Sequence, residues 1–251
     1  MALVTGAAKR LGREIALGLA ARGWDIAVHY GSSAAEAQRT VADIEALGRR
    51  AVALAADLAD PAQCERLIRA AADGIGVPTC LVNNASRFAF DSPADVGFDT
   101  LQAHWGPNLA APVVLTRQLH AALAAQGPQA RGIVVNLLDQ KLANLNADFF
   151  SYTLTKVALE AATRIGAMHF APVLRVCGVS PGLTLPSYLQ TEQHFERTHR
   201  STALLDRSSE PQDIVAAVLY LVHSPAVTGV NLIVDGGQHL MKLARDVSYL
   251  G

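Results

Sequence analysis

A tyrosine and a lysine four residues apart, Tyr152 and Lys156, stand thirteen residues after an aspartate, Asp139. On a helix that spacing puts the phenol and the ammonium on one face. A neighbouring ammonium favours the phenolate and pulls a phenol pKa from about 10 toward working pH, which turns tyrosine into a usable acid or base. Alone, the pair reads as well as two amphipathic residues on an ordinary helix. The glycine-rich stretch Thr5-Gly6-Ala7-Ala8-Lys9-Arg10-Leu11-Gly12 reverses those odds.

That stretch lies where a phosphate cradle has to lie. Ala2-Leu3-Val4 is a short apolar strand, and Arg13 to Ala20 continues with helical apolar spacing, so strand, turn and helix follow in order. Gly6 and Gly12 permit a tight turn and close backbone approach, while the helix N-terminus offers N–H groups and partial positive charge to a pyrophosphate, with Lys9, Arg10 and Leu11 lining the turn. A dinucleotide fold that selects NAD carries an acid about 20 residues after the glycines. Here that place reads His29-Tyr30-Gly31-Ser32-Ser33, and Asp25 comes too early to reach a ribose. With no carboxylate to repel a 2′-phosphate and Lys9 available to pair with it, NADP(H) is the expected cofactor, His29, Ser32 and Ser33 adding donors. Asp57, followed by Leu58, is placed to accept from an adenine amino group; a cap for the helix beginning at Pro61 is the competing view.

The elements that must position these residues alternate. Strands are expected at Asp25–Tyr30, Ala51–Ala55, Cys80–Val82, Gly132–Leu137, Leu174–Val179 and Asn231–Val234, and helices at Ala34–Leu47, Pro61–Asp73, Asp99–Ala125, Ser151–Phe170 and Pro211–Leu221. This rhythm predicts an α/β fold, a single-domain Rossmann-type doubly wound parallel sheet. No linker, repeat or low-complexity stretch divides it. The segment Pro181–Ser209 is long for a connection, polar, and carries a helix-like piece at Tyr188–Thr198, so it reads as a substrate lid. His194 and His199 within it lack metal-ligand spacing, and no metal is expected.

The 251 residues are 51% hydrophobic with a formal net charge of −1, which fits one globular enzyme and points to neither nucleic acid nor a membrane surface as partner. Cys64, Cys80 and Cys177 are an odd set without metal spacing, the pattern of a reducing compartment. No apolar run reaches the ~18 residues of a membrane span and no leader pattern is seen. A cytoplasmic protein is expected.

Over nearly the whole chain these residues resemble the short-chain dehydrogenase/reductase family. The marks are the Thr5–Gly12 turn, Asn83-Asn84-Ala85 after the fourth strand, Asn108 on the long helix, Tyr152 with Lys156, and Pro181-Gly182, with Thr184, after the sixth strand. The resemblance implies Tyr152 as proton donor, Lys156 binding the nicotinamide ribose and lowering the phenol pKa, Asn84 and Ala85 lining the cofactor, and Asn108 holding a water in a proton relay. Pro107 should leave a carbonyl near Ala103 unpaired and bend the helix there. The family also implies a homotetramer built on the long helices, and Ala158, Ala161 and Ala162 would permit close helix contact.

Within that family the chain looks most like the pteridine reductases. Arg10 replaces the middle glycine of the turn, Asp139 replaces the usual serine, and His29-Tyr30, Ser33-Ala34-Ala35-Glu36-Ala37 and Asn83-Asn84-Ala85-Ser86 with Phe88 extend the likeness. The resemblance implies a pterin between the nicotinamide and Phe88, Arg10 and Ser86 contacting its polar edge and the cofactor phosphates, and Asp139 assisting Tyr152. The basic residue often found after His-Tyr in such enzymes is absent, Gly31-Ser32 standing in its place. Physics supports the aspartate independently: a carboxylate beside Tyr152 opposes the phenolate and keeps the phenol protonated, as an acid serving ring C=N reduction requires. The alternatives are an NADPH-dependent carbonyl or 3-oxoacyl reductase, in which Asp139 stands in for serine as a hydrogen-bonding group, and a catalytically silent cofactor-binding protein.

Overall fold

Alternation along the short apolar strands decides the layering. In the first strand Ala2 and Val4 enter one core layer and Leu3 the other, and Ile26 and Val28 against Ala27, Cys80 and Val82 against Leu81, and Ile133 and Val135 against Val134 repeat the pattern. Strands apolar on both faces need cover on both. The computed structural model, which describes residues 1–249, provides it. Seven parallel strands, β1 (Ala2–Val4), β2 (Ile26–Tyr30), β3 (Ala51–Ala55), β4 (Cys80–Asn83), β5 (Gly132–Leu137), β6 (Leu174–Pro181) and β7 (Asn231–Val234), form one sheet in the order β3-β2-β1-β4-β5-β6-β7.

Helices α1 (Arg10–Ala20), α2 (Ala34–Ala46) and α8 (Pro211–His223) cover one face, while α3 (Pro61–Ile75), α5 (Ala111–Ala124) and the C-terminal end of α6 (Phe150–Phe170) cover the other. Leu115, Leu119 and Leu123, at helical spacing on α5, are fully buried, each contributing about 1.5–3 kcal/mol relative to exposure. The three cysteines are buried free thiols. Among the described residues no helix is long and apolar enough to cross a membrane. The strand order reverses between β1 and β4, so the carboxyl ends of those strands open a crevice, the place where such sheets bind ligands.

Some boundaries differ from expectation for identifiable reasons. Asp25 lies outside β2, held by Arg49 at 2.7 Å and Arg50 at 2.8 Å, at the far end of the strand from the crevice. The expected helix 99–125 is divided into α4 (Phe98–Trp105), a π-turn at Gly106–Ala110, and α5. Pro107 and Pro112 each lack an N–H, and Ala111 N–H donates to the Gly106 carbonyl five residues back. In the 182–209 segment the helix α7 runs Glu192–Ser201 rather than 188–198, because Thr191 caps it by accepting from His194 N–H at 3.2 Å.

Candidate active site

The glycine turn leads from β1 into α1. Gly6 takes the left-handed φ of +64°, and a Cβ on Gly12 would meet the Gly6 carbonyl oxygen at 2.3 Å, so neither position admits a side chain without displacement. Thr5 Oγ1 accepts from the N–H groups of Asn84 and Ala85, both at 3.0 Å, and Asn84 Nδ2 donates to the Thr5 carbonyl at 2.9 Å. The end of β4 is thus stapled to the turn. Among the described residues no side chain caps α1 or α2, so their first-turn N–H groups are available to anions. Lys9 and Ser32 are exposed and Ser33 is half-buried at this end, which fits a dinucleotide bearing an extra phosphate.

His29 does not serve as a phosphate donor. It is buried, its Nδ1 accepts from Gly6 N–H at 3.0 Å, and its Nε2 lies 3.0 Å from the Ala56 carbonyl, so the ring is the Nε2–H tautomer bracing β2 against the turn. Burial lowers its pKa, the Ala56 bond opposing, and keeps it neutral. Tyr30 packs against the core. Asp57 accepts from Ala59 N–H at 2.9 Å, and the cap of α3 is Asp60, which accepts from Ala62 and Gln63 N–H; the capping view of Asp57 therefore falls. Leu58 is buried on the α3 and α5 side of the sheet and its side chain is core.

The residues expected to do acid–base chemistry meet at the ends of β5 and α6. Asp91, in the loop after β4, accepts from Ser151 N–H at 3.0 Å and from the Ser151 hydroxyl, which fixes the first turn of α6 and with it the next residue, Tyr152. The Tyr152 hydroxyl donates to Asp139 Oδ2 at 2.7 Å, and Asp139 Oδ1 accepts from Lys141 N–H at 2.8 Å. Lys156 Nζ donates to the Leu137 carbonyl at 2.6 Å and stands 5.5 Å from the centre of the Tyr152 ring. The phenol is not lowered with that ammonium beside it. Burial first, and then the Asp139 charge, push the Tyr152 phenol well above its ordinary value. Burial also raises the Asp139 carboxyl, against the hydrogen bonds from Lys141 and Tyr152, and lowers Lys156 to about 8, with Asp139 opposing. The pair holds its proton to high pH, the state of an acid.

The π-turn turns Asn108 inward. Its Oδ1 accepts from Ser86 Oγ at 3.2 Å and Arg87 N–H at 2.7 Å, and its Nδ2 donates to the Arg87 carbonyl at 3.0 Å and to Thr155 Oγ1 at 3.1 Å. Through these bonds the Asn108 side chain ties the loop after β4 to α6. Phe88 stacks on Phe149 with ring centres 4.1 Å apart and meets Tyr152 edge-on at 4.9 Å. It is half-buried and lines a cavity of about 520 Å³, with Ser86, Asp139, Tyr152, Lys156 and Arg10 also in the walls. Arg10, itself left-handed at φ +54°, reaches across to the Pro186 carbonyl at 2.8 Å. Pro181, Gly182 and Thr184 close the cavity beside Tyr188. Thr184 Oγ1 donates to the Gly182 carbonyl at 3.0 Å, and a Cβ on Gly182 would strike Ser208 Oγ at 2.3 Å.

Residues 6–239 match the family model described as enoyl-(acyl carrier protein) reductase. The chain belongs to the short-chain dehydrogenase/reductase family. Similar curated members are pteridine reductase 1 of Leishmania tarentolae, 33% identical over 96% of this chain and 97% of that protein, and L-xylulose reductase of Mesocricetus auratus, 30% identical over 94% and 95%. Among solved structures, FolM alternative dihydrofolate reductase 1 from Brucella canis, complexed with NADP, is 37% identical with a TM-score of 0.89, covering 96% of this chain and 94% of that one.

Several residues of this short-chain reductase's site carry no signal in sequence spacing. Lys141, Gln238, Asp246 and Ser248 line the cavity, the last three brought in from beyond β7. Gln238 Oε1 accepts from Leu183 N–H at 3.0 Å and from Ser208 Oγ at 3.2 Å, which seats the start of the 182–209 segment. Thr5, by contrast, opens the glycine motif, and its stapling role could have been anticipated there.

Proposed function

We propose that this chain is an NADPH-dependent reductase of a pterin-type substrate, a dihydropterin or a dihydrofolate-like ring. The observation that carries the reading is the buried 2.7 Å bond from the Tyr152 hydroxyl to Asp139 beside the half-exposed ring of Phe88. The cofactor is NADP(H), held at the open ends of α1 and α2 with Lys9, Ser32 and Ser33 facing the 2′-phosphate, and with Asp57, Asn84, Ala85, Pro181, Gly182 and Thr184 along its length. Bound there, it supplies a hydride to the carbon of a ring C=N bond. Tyr152 delivers the proton to the nitrogen, and Asp139, its own carboxyl raised by burial, keeps the phenol protonated and returns a proton to it. Lys156 holds the nicotinamide ribose. Phe88 offers one face to a flat, electron-poor ring while Phe149 covers the other. Arg10 and Ser86 meet the ring's polar edge, and the segment 181–209 closes over it as a lid.

The assembly proposed is a homotetramer. Trp105, Leu154, Val157, Ile165 and Met168 are all exposed on α4 and α6, an apolar surface that a second copy would cover. The free thiols fit a reducing cytoplasm. The decisive experiment is NADPH oxidation with dihydrobiopterin, dihydrofolate and a panel of small ketones. Faster turnover of the pterins supports the reading; ketone turnover with inert pterins replaces it with a carbonyl reductase, and no oxidation with any of them leaves a silent cofactor-binding protein.

A further inference from the structure

Behind Asp139 the cavity wall holds a second layer of charge that the proton-transfer reading leaves unused. Lys141 is buried. Its Nζ donates to the Asp148 carbonyl, lies 3.7 Å from Asp246 Oδ2, and sits 5.6 Å from the centre of the Phe149 ring. Its backbone N–H is the one that holds Asp139 Oδ1 at 2.8 Å. Lys141 therefore touches Asp139 with its backbone and Asp246 with its side chain.

Asp246 arrives on the segment 242–249, which is fastened at several points. The Asp148 carboxylate accepts from Arg245 Nε at 2.8 Å and from Asp246 N–H at 2.7 Å, and Asp246 Oδ1 accepts from Ser248 N–H at 3.0 Å. Tyr249 meets Phe90 at 5.4 Å with the Arg245 guanidinium 4.9 Å from its centre, while Ser248 Oγ reaches Ser187 Oγ at 3.4 Å. Val247 and Ser248 are buried by this docking. A buried ammonium needs a counter-charge, and Asp246 is the carboxylate in contact with it.

We propose that Lys141 and Asp246 are positioning residues for the acid pair: docking of the 242–249 segment anchors Lys141, and through Lys141 the Asp139 carboxyl, in the geometry that receives the Tyr152 hydroxyl. The proposal rests on the reading of Asp139 and Tyr152 as the proton-delivering pair. The charged and titratable groups around Asp139 are Lys141 on its own turn, Tyr152 and Lys156 on α6, Asp246 on the docked segment, and Arg10 and Tyr188 across the cavity, with Asp148 and Arg245 behind Lys141. Burial dominates for both members of the pair. Beyond it, Asp246 raises Asp139 and Tyr152, whereas Lys141 lowers Asp139. The two positioning residues thus act on the pair with opposite sign.

The test uses the full chain with NADPH and dihydrobiopterin. Asp246→Asn is expected to move the alkaline limb of reduction to lower pH and to lower kcat several-fold, with the KM for NADPH unchanged, and Asp246→Glu to restore most of both. Lys141→Met is expected to move the limb the other way, because Asp139 loses a cation while Asp246 stays; should Asp246→Asn fail to fold, this variant carries the test. A parent-like profile in Asp246→Asn, or shifts of one sign in both variants, overturns the proposal. Asp139→Ser separates the levels. If it leaves the profile unmoved, the underlying acid-pair reading fails; if it moves the profile and Asp246→Asn does not, only the positioning role falls.

Discussion

The cofactor side of the cavity and its substrate side are held by different kinds of bond. On the first, the glycine turn and the ends of β1, β2 and β4 meet through Thr5, Asn84 and His29, all within or beside the central strands. On the second, side chains from distant parts of the chain do the joining: Arg10 to Pro186, Gln238 to Leu183, Asp148 to Arg245 and Asp246, Ser187 to Ser248. A wall of core strands is preformed and common to a fold. A wall of separate side-chain links is local to one chain, each such bond contributing about 1 kcal/mol. Ligands of the first should tolerate changes in the second, and the converse should hold.

The largest expected effect lies where the two sides meet. Tyr152→Phe should lower kcat by about 10²–10⁴-fold, the range for loss of a general acid, while NADPH affinity measured by fluorescence titration stays near the parent value. Loss of NADPH affinity by the same factor would join the two sides into one unit and end the comparison. Asp139→Ser should follow. With the opposing charge gone, the phenol falls from its raised position, so the alkaline limb of reduction moves to lower pH. Below that limb the rate also drops, because the partner that returns a proton is missing, and a small ketone should suffer less than a pterin. An unmoved limb would make Asp139 structural.

Phe88 probes the substrate side alone. Stacking of a flat ring on an aromatic side chain is worth about 1–3 kcal/mol by alanine substitution, so Phe88→Ala should raise the KM for a dihydropterin by roughly 5–150-fold. NADPH binding should not change. Parent-like pterin kinetics in a folded variant would return Phe88 to simple packing against Phe149.

The same division explains what was legible beforehand. The doubly wound parallel sheet was legible because short apolar runs such as Ile26–Tyr30 and Gly132–Leu137 alternate with longer helical patterns, which local spacing records, whereas the order of the strands is set by contacts between them. Thr5–Gly12, Asp139, Tyr152 and Lys156 were found because their spacing is short and their chemistry specific. What failed depended on partners far away in the chain. His29 read as a donor because nothing local reveals that Gly6 N–H and the Ala56 carbonyl, 23 and 27 residues distant, occupy both of its nitrogens. The side-chain bonds of Asn108 were equally hidden, because Arg87 and Thr155 come from other elements. The break at Gly106–Ala110 was half visible: Pro107 announced a bend, but not the π-turn that swings Asn108 inward. Lys141 and Asp246 lie 105 residues apart and carry no motif at all.

The smallest effect tests the cofactor side by itself. The Lys9 side chain is exposed at the glycine turn, so its pairing with a 2′-phosphate would be largely screened by water. Lys9→Ala should therefore weaken NADPH by about 1 kcal/mol, roughly fivefold, with less effect as salt rises. NADH, which lacks that phosphate, should bind as before. The turn itself is held by bonds among Gly6, Thr5, Asn84 and His29, so the substitution removes a charge without removing one of these supports. Equal losses with both cofactors would mean that Lys9 serves the turn, and the preference would then have to come from Ser32, Ser33 and the uncapped start of α2. Pterin KM at saturating NADPH is the remaining control: a change there would show that the turn side is transmitted to the 182–209 segment, through Arg10 and its bond to Pro186, and that the two sides are less independent than their bonding implies.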